Sequence, residues 1–327
     1  MRLLKLVPDN TNIDFLRWRM FAILFSLALL SASVFFLATR GLNLGVDFSG
    51  GQMIHVAFQQ PPQLDELRER IAGIDVGEPT IQEFGSPREI SIRIPRAEDE
   101  TVEQANAIAT RVRAAITEHY PGARIDSVET VTGKISEELA WDGGLSLLFA
   151  MLGVAAYIWI RFEWQFGIGG LVSLIHDFTI VLGFYSVTQI DFSLNAIAAL
   201  LTLIGYSLND TVVVYDRIRE NLRKYRKMEI EPLLNLSVNE TLSRTINTNT
   251  AVLLAITALL ILGPDVIYDL TIGIFVGVII GTYSSIYVAR FLLVPFGVGP
   301  DSFVPKDPVS RAERGAGRNE GFDGAQV

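Results

Sequence analysis

The residues with the greatest capacity for chemistry are ionisable groups inside apolar runs. Asp210 lies within Leu-Thr-Leu-Ile-Gly-Tyr-Ser-Leu-Asn-Asp-Thr-Val-Val-Val (201–214), and Arg244 opens Ser-Arg-Thr-Ile-Asn-Thr-Asn-Thr (243–250). A basic stretch separates them, and both lie equally far along the sequence from Lys227. Two antiparallel helices joined there would bring carboxylate and guanidinium to similar depth. An ionisable residue in a membrane span costs at least about 2.5 kcal/mol, which makes it a functional candidate. Burial favours the neutral acid and an adjacent cation favours the carboxylate. A site balanced between the two can load and release a proton. Ser207, Asn209 and Asn247 are candidate polar support for the pair. The bland alternatives are a structural ion pair, or an Arg244 that snorkels to the headgroups. His176-Asp177 sits in the middle of another apolar run. Neighbours on a helix point about 100° apart, so the two are not expected to line one seam. A proton relay and a helix-packing hydrogen bond both remain open for them. Gly273, Gly277 and Gly281 allow close helix approach, which is packing rather than chemistry.

Composition narrows the class. The 327 residues are 50% hydrophobic, carry a formal net charge of −9 and include no cysteine. Disulfides, haem-thiolate and iron–sulfur ligation are therefore excluded. No clustered basic surface with interleaved aromatics suggests nucleic acid as a partner. His55 and His119 stand alone, so packing or a surface position is expected for both, and no metal or other cofactor. An intramembrane aspartyl protease would need two facing aspartates, and Asp216 lies among loop charges. No nucleophile elbow accompanies His176, and no phosphate-binding glycine loop is present. No catalytic chemistry is the expectation, and if energy is used, an ion gradient is its expected source.

Six apolar runs carry these residues: 20–39, 143–160, 166–187, 192–214, 246–262 and 270–294. Each approaches the length of about 20 residues that a span requires. The first exceeds a signal-peptide core and reads as a retained anchor. Lysine and arginine concentrate at Arg161 and in a cytoplasmic loop spanning 215–243, so residues 1–19, that loop and a disordered tail (298–327) are expected in the cytoplasm. Residues 141–297 form the remaining five-helix membrane region. Between the first two spans, residues 40–140 read as strand, helix, strand, strand, helix, strand. That is the split βαβ order of an α+β ferredoxin-like domain, here expected on the periplasmic side.

Four stretches carry a resemblance: Leu-Val-Pro-Asp-Asn-Thr-Asn-Ile-Asp-Phe (6–15), Gly-Val-Asp-Phe-Ser-Gly-Gly (45–51), Arg-Phe-Glu-Trp-Gln-Phe (161–166) and Gly-Tyr-Ser-Leu-Asn-Asp-Thr-Val-Val-Val-Tyr-Asp-Arg-Ile-Arg-Glu-Asn (205–221). They resemble the SecF branch of the SecD/SecF family, within the resistance–nodulation–division superfamily, and the resemblance extends from residue 6 to about 296. It implies a subunit of the bacterial inner membrane that pairs with SecD, joins SecYEG with YajC, and acts after SecA. It further implies that the proton-motive force helps to drive preproteins outward. Asp210 matches the family's proton-site aspartate and Arg244 its partner. Asp47, Phe48, Gly50 and Gly51 match the motif leading from the first span into the external domain. Export of small molecules or lipids, and a passive translocon scaffold, are the alternative functions.

Overall fold

The computed structural model describes residues 8, 11–74, 76–77, 79–84, 86–95 and 102–298. The expected tail beyond 298, most of the first ten residues and Gly85 of the expected hairpin lie outside the described residues. Among the described residues six helices are long and apolar enough to cross a membrane. They are α1 (Arg19–Thr39), α5 (Gly133–Arg161), α6 (Trp164–Thr188), α7 (Leu194–Lys224), α8 (Ile230–Leu262) and α9 (Tyr268–Ile286), with a short α10 (Val288–Phe291) after the last. Between α1 and α5 come α2 (Val46–Ser49), β1 (Gly51–Ala57), α3 (Leu64–Ala72), β2 (Thr80–Phe84), β3 (Ser86–Ile94), α4 (Val102–His119) and β4 (Arg124–Val131).

The expected loop at 215–243 is largely helix. At 31 residues α7 is about 46 Å long, and the 33 residues of α8 reach about 50 Å. Both exceed the roughly 30 Å hydrocarbon thickness, so they continue past the apolar run and leave only Tyr225–Glu229 to turn the chain. Hydropathy marks the lipid-immersed part of a helix, not its end. Charged residues stitch the extension together: Arg161 meets Asp216 at 3.0 Å, and Arg217 meets Glu240 at 2.7 Å. The segment before α1 is tied to α8 by asparagine amides. Asn239 accepts from Ile13 N at 2.8 Å and donates to Ile13 O at 2.9 Å, while Asn235 accepts from Phe15 N at 3.0 Å.

Close packing in the bundle depends on small residues. Without a hydrophobic force between helices in lipid, contact area comes from backbones that approach closely. A side chain at Gly273, Gly277 or Gly281 of α9 would meet Tyr185, Leu203 or Ser207 respectively. One at Gly183 of α6 would run into Ser33 of α1, backbone included. Small residues therefore set the spacing of α9 against α6 and α7, and of α1 against α6.

The small domain has strand order β2-β3-β1-β4, with every neighbouring pair antiparallel. That is the ferredoxin-like arrangement expected from the element order. Alternation along β1 explains its two faces. Ile54 and Val56 join Leu67, Ile71, Val112 and Ile116 in a core under the two helices. Met53 and His55 point the other way, toward the membrane helices, and line a cleft with Asp47, Glu129, Asp191 and Asp269. Arg93 of β3 donates to Asp191 at 3.0 Å and to Asn43 at 3.2 Å, bolting the sheet to the α6–α7 connection. Burial, followed by the charges of Asp47, Asp269 and Asp191, pushes the Glu129 carboxyl above its ordinary range. Asp191 is also held above its ordinary range by burial, against the opposing pull of Arg93 and His55.

Two predictions follow the packing and the joint. Gly183→Val should destabilise the protein by about 1–3 kcal/mol, because α1 must move away from α6. Gly205→Ala, which adds its methyl to open space, should be neutral or mildly stabilising in the same detergent melts. For Glu129, a raised folded-state pKa means that the folded protein binds more protons than the unfolded chain just above the ordinary carboxylate range. Stability should therefore rise as pH falls through that window. Glu129→Gln should raise the melting temperature near neutral pH and flatten its pH dependence.

Candidate functional site

Two buried carboxylates lie in the space enclosed by α6, α7, α8 and α9. Asp210 is 4% exposed and Asp177 is fully buried. A carboxylate in an apolar interior persists only with donors around it, and the two obtain theirs from different helices. Asp210 Oδ2 accepts from Asn249 Nδ2 of α8 at 2.9 Å. Asn249 in turn accepts from the Tyr206 hydroxyl at 2.6 Å and donates its second amide proton to Thr282 Oγ1 of α9. Asp177 Oδ2 accepts from Ser207 of α7 and Ser284 of α9, each at 2.6 Å. Its Oδ1 lies 2.9 Å from His176 Nδ1.

The sequence-predicted residues divide accordingly. Ser207 was expected beside Asp210, but it bonds Asp177 instead. One helical turn separates the two carboxylate networks along α7. Asn209 is exposed, because it follows Leu208 away from the buried stripe. Arg244 and Asn247 are also exposed on the chain's own surface. Among the described residues no nitrogen of Arg244 comes within ion-pair distance of Asp210, although the guanidinium is near enough for its charge to act on the carboxylate. The closer partner is neutral. Asn249 continues the buried stripe Val238, Leu242 and Thr245 at helical spacing, whereas Arg244 and Asn247 share a different face. That periodicity was the signal that would have selected Asn249 over Asn247.

His176 and Asp177, which point about 100° apart on the helix, face different neighbours. Both are buried, because α6 is enclosed on more than one side: by α9 and α7 at Asp177, and by α1 and Tyr283 at His176. Adjacent residues need not share a seam when the helix has two.

The motif after α1 positions the entry to α7. Asp47 Oδ2 accepts from Leu194 N at 2.8 Å, and Ser193 caps the same helix end by accepting from Asn195 N at 3.1 Å. A carboxylate at a helix N-terminus also complements the macrodipole. Ser193 itself donates to Asp269 at the start of α9. Phe48 packs on Phe192 with ring centroids 6.0 Å apart. Gly50 and Gly51 follow with φ of 68° and 106°, a left-handed turn that L side chains resist, and it launches β1. The motif therefore ties α1, α7, α9 and the sheet at one point. Among the described residues no cluster of three or more His, Cys, Asp or Glu is arranged to hold a metal ion.

The chain is similar to known proteins over most of its length. Residues 111–298 match the family model for the protein export membrane protein SecD/SecF, C-terminal region, and residues 35–62 match the SecD/SecF GG motif. The protein translocase subunit SecF of Rickettsia felis is 40% identical over 294 residues, covering 90% of this chain and 94% of that one. SecF of Desulfurispirillum indicum is 42% identical over 287 residues, covering 86% and 91%. A Thermus SecDF crystal structure, described as a translocon-associated membrane protein, superposes with a TM-score of 0.81 at 32% identity. That match covers 89% of this chain but 39% of the Thermus chain, so the latter carries a further portion without counterpart here. By sequence over most of its length and by fold, this multi-pass membrane protein belongs to the SecD/SecF family of protein export membrane proteins.

Proposed function

We propose that the chain is the SecF-type accessory subunit of the Sec translocase in a bacterial inner membrane, and that it couples proton movement to preprotein export. The observation that carries the coupling is Asp210. It is a nearly buried carboxylate held chiefly by the neutral Asn249 amide, with Arg244 acting from beyond ion-pair distance. Such an arrangement tolerates both protonation states. Asn249 can keep its bond to either form, while the attraction from Arg244 exists only when Asp210 is charged. Protonation thus changes the force between α7 and α8 without emptying the site. A proton crossing 100 mV supplies about 2.3 kcal/mol from the electrical term alone, enough to bias two helix arrangements. The sheet domain, bolted to the α6–α7 connection through Arg93 and Asp191, would transmit a helix shift to the periplasmic side, with both termini cytoplasmic.

Partner association supports the same reading. Asn209 on α7 and Arg244, Asn247 and Thr248 on α8 are exposed on this chain at membrane depth. Polar groups of this kind almost always face protein or water rather than lipid. SecD is the expected cover, and SecYEG, YajC and SecA enter as the wider translocase. A passive scaffold is the second reading, favoured by the Asp177 carboxylate, which is engaged on both oxygens and holds helices together without requiring a proton to move.

Asp210→Asn separates the two. Asparagine keeps the size and hydrogen-bonding capacity but cannot cycle a proton. The motor reading expects normal assembly with SecD and preprotein export reduced to the level of a deletion. Unchanged export would leave the scaffold. The partner face is tested directly because the chain has no cysteine of its own. Asn247→Cys should form a disulfide with a cysteine introduced on a SecD span. Ile261→Cys, on a strongly exposed apolar position of the same helix, should not.

A further inference from the structure

The stretches 161–166 and 205–221 meet at the end of the bundle remote from the sheet, where Arg161 Nη2 donates to Asp216 at 3.0 Å. A cleft of about 530 Å³ opens there, lined by Arg161, Asp216, Arg219, Glu220, Arg223 and Lys224. Four cations share it with two carboxylates, and both carboxylates are already engaged. Asp216 lies 3.0 Å from Arg161 and 3.9 Å from Arg219, while Glu220 turns to Arg217 at 2.7 Å. Lys224 makes no ion pair among the described residues; its Nζ sits 4.9 Å from the centroid of the Tyr225 ring.

The cations are held ready. The guanidiniums of Arg161 and Arg219 both rest on the buried Phe162, 5.2 and 5.4 Å from its ring centroid. Arg161 uses only Nη2 on Asp216, so the donors on Nε and Nη1 are unused among the described residues. A planar guanidinium with spare donors suits a phosphate.

Depth sets what can reach the cleft. α5 ends at Arg161 and α6 begins at Trp164, so these two spans turn at the membrane surface within two residues. Trp159 and Trp164 are exposed on either side, at the level where tryptophans anchor spans. Arg219 and Lys224 follow Asp216 by about 4.5 and 12 Å along α7. The polar layer of one leaflet is about 5–8 Å deep, and long basic side chains extend into it. Below the cleft, Phe149, Leu152 and Trp159 form an exposed apolar strip at helical spacing down α5.

We propose that this cleft binds the phosphodiester headgroup of an anionic phospholipid, with Arg161, Arg223 and Lys224 around the phosphate and an acyl chain along the α5 strip. A zwitterionic lipid brings an ammonium group into a cleft that already has an excess of cations. A soluble phosphate makes no use of the apolar strip, and neither does an acidic protein segment.

The test uses the full chain purified with its partner subunit, titrated with dioleoyl phosphatidylglycerol or dioleoyl phosphatidylethanolamine and read by native mass spectrometry. Phosphatidylglycerol should bind at least about fivefold more tightly, the factor that corresponds to about 1 kcal/mol for one basic residue near an anionic surface. Lys224→Gln should weaken phosphatidylglycerol about fivefold, and the double variant Arg161→Gln with Lys224→Gln should abolish the preference. Lys227→Gln removes the same charge from an exposed position outside the cleft and should change binding less than about twofold. Inorganic phosphate at millimolar concentration should not displace the lipid. Equal binding of the two lipids would overturn the proposal. Equal losses in Lys224→Gln and Lys227→Gln would do so too, since they would mean diffuse surface charge without a site. Displacement by inorganic phosphate would assign the cleft to a soluble ligand instead. Release of the partner subunit by Lys224→Gln, with lipid binding unchanged, would make the cleft a protein contact. Lys224 is exposed and without an ion pair among the described residues, so its replacement leaves the fold intact.

Discussion

The hydrocarbon core contains no water to solvate a carboxylate, and the architecture of the helix bundle follows from how Asp177 and Asp210 are satisfied without it. Asp177 draws donors from α7 and α9 and Asp210 draws one from α8, and the donors are short: serine hydroxyls on α7 and α9, an asparagine amide on α8. Short donors reach only if backbones are close. Gly281 of α9 faces Ser207, the residue that serves Asp177, and Gly277 and Gly273 set the same spacing further along. The glycine seam and the polar networks are therefore one device. Widening the seam by a side chain would separate serine from carboxylate as well as loosen the packing.

The same economy governs the joint between membrane and sheet. Asp47 caps α7, Ser193 caps the same helix and reaches Asp269 of α9, and Arg93 crosses from β3 to Asp191. Four carboxylates surround one cleft, with Arg93 and His55 as the cationic or potentially cationic groups nearby. Burial, followed by the excess of like charge, keeps Glu129 prone to protonation, so local acidity would act on the stiffness of this joint. At the opposite end a different solution appears. The Arg290 guanidinium is fully buried, with the rings of Phe15 and Phe291 at 5.6 and 5.3 Å from it. Aromatic faces there stand in for a carboxylate.

How much of this was legible in the sequence depended on whether the signal was local. Strand alternation, helix periodicity and apolar run length are local, and the ferredoxin-like order and six spans followed from them. Helix ends were not, because hydropathy changes at the membrane surface while backbone hydrogen bonding continues, as in residues 215–224 of α7. The motif at 45–51 was visible as a pattern, but its work is done on Leu194 and Phe192, far away in sequence. The site was half legible. Asp210 was conspicuous by charge, yet its nearest partner is a neutral asparagine, chosen by a buried stripe through Leu242 and Thr245 rather than by charge complementarity. For His176 and Asp177 the angular separation argued against one shared seam, but their partners on α7 and α9 are remote in sequence, and relay and packing stayed open.

The separation of Asp210 from Arg244 bears on what sort of coupling this site can perform. A contact ion pair at the centre of a membrane is a deep trap, since breaking it strands a charge at a cost of several kcal/mol. One electrical step of about 2.3 kcal/mol per 100 mV would be poorly matched to that well. A carboxylate anchored by a neutral amide, with the cation at longer range, has a shallower well. Under the proposed coupling, the amide would hold the side chain in place while the charge comes and goes, and the cation would sense the change through a field rather than a bond. Thr282 extends that anchor to α9, so a change felt at α8 is shared with the helix that also serves Asp177. Under the proposed coupling, small steps in proton occupancy would be commensurate with small steps in helix position.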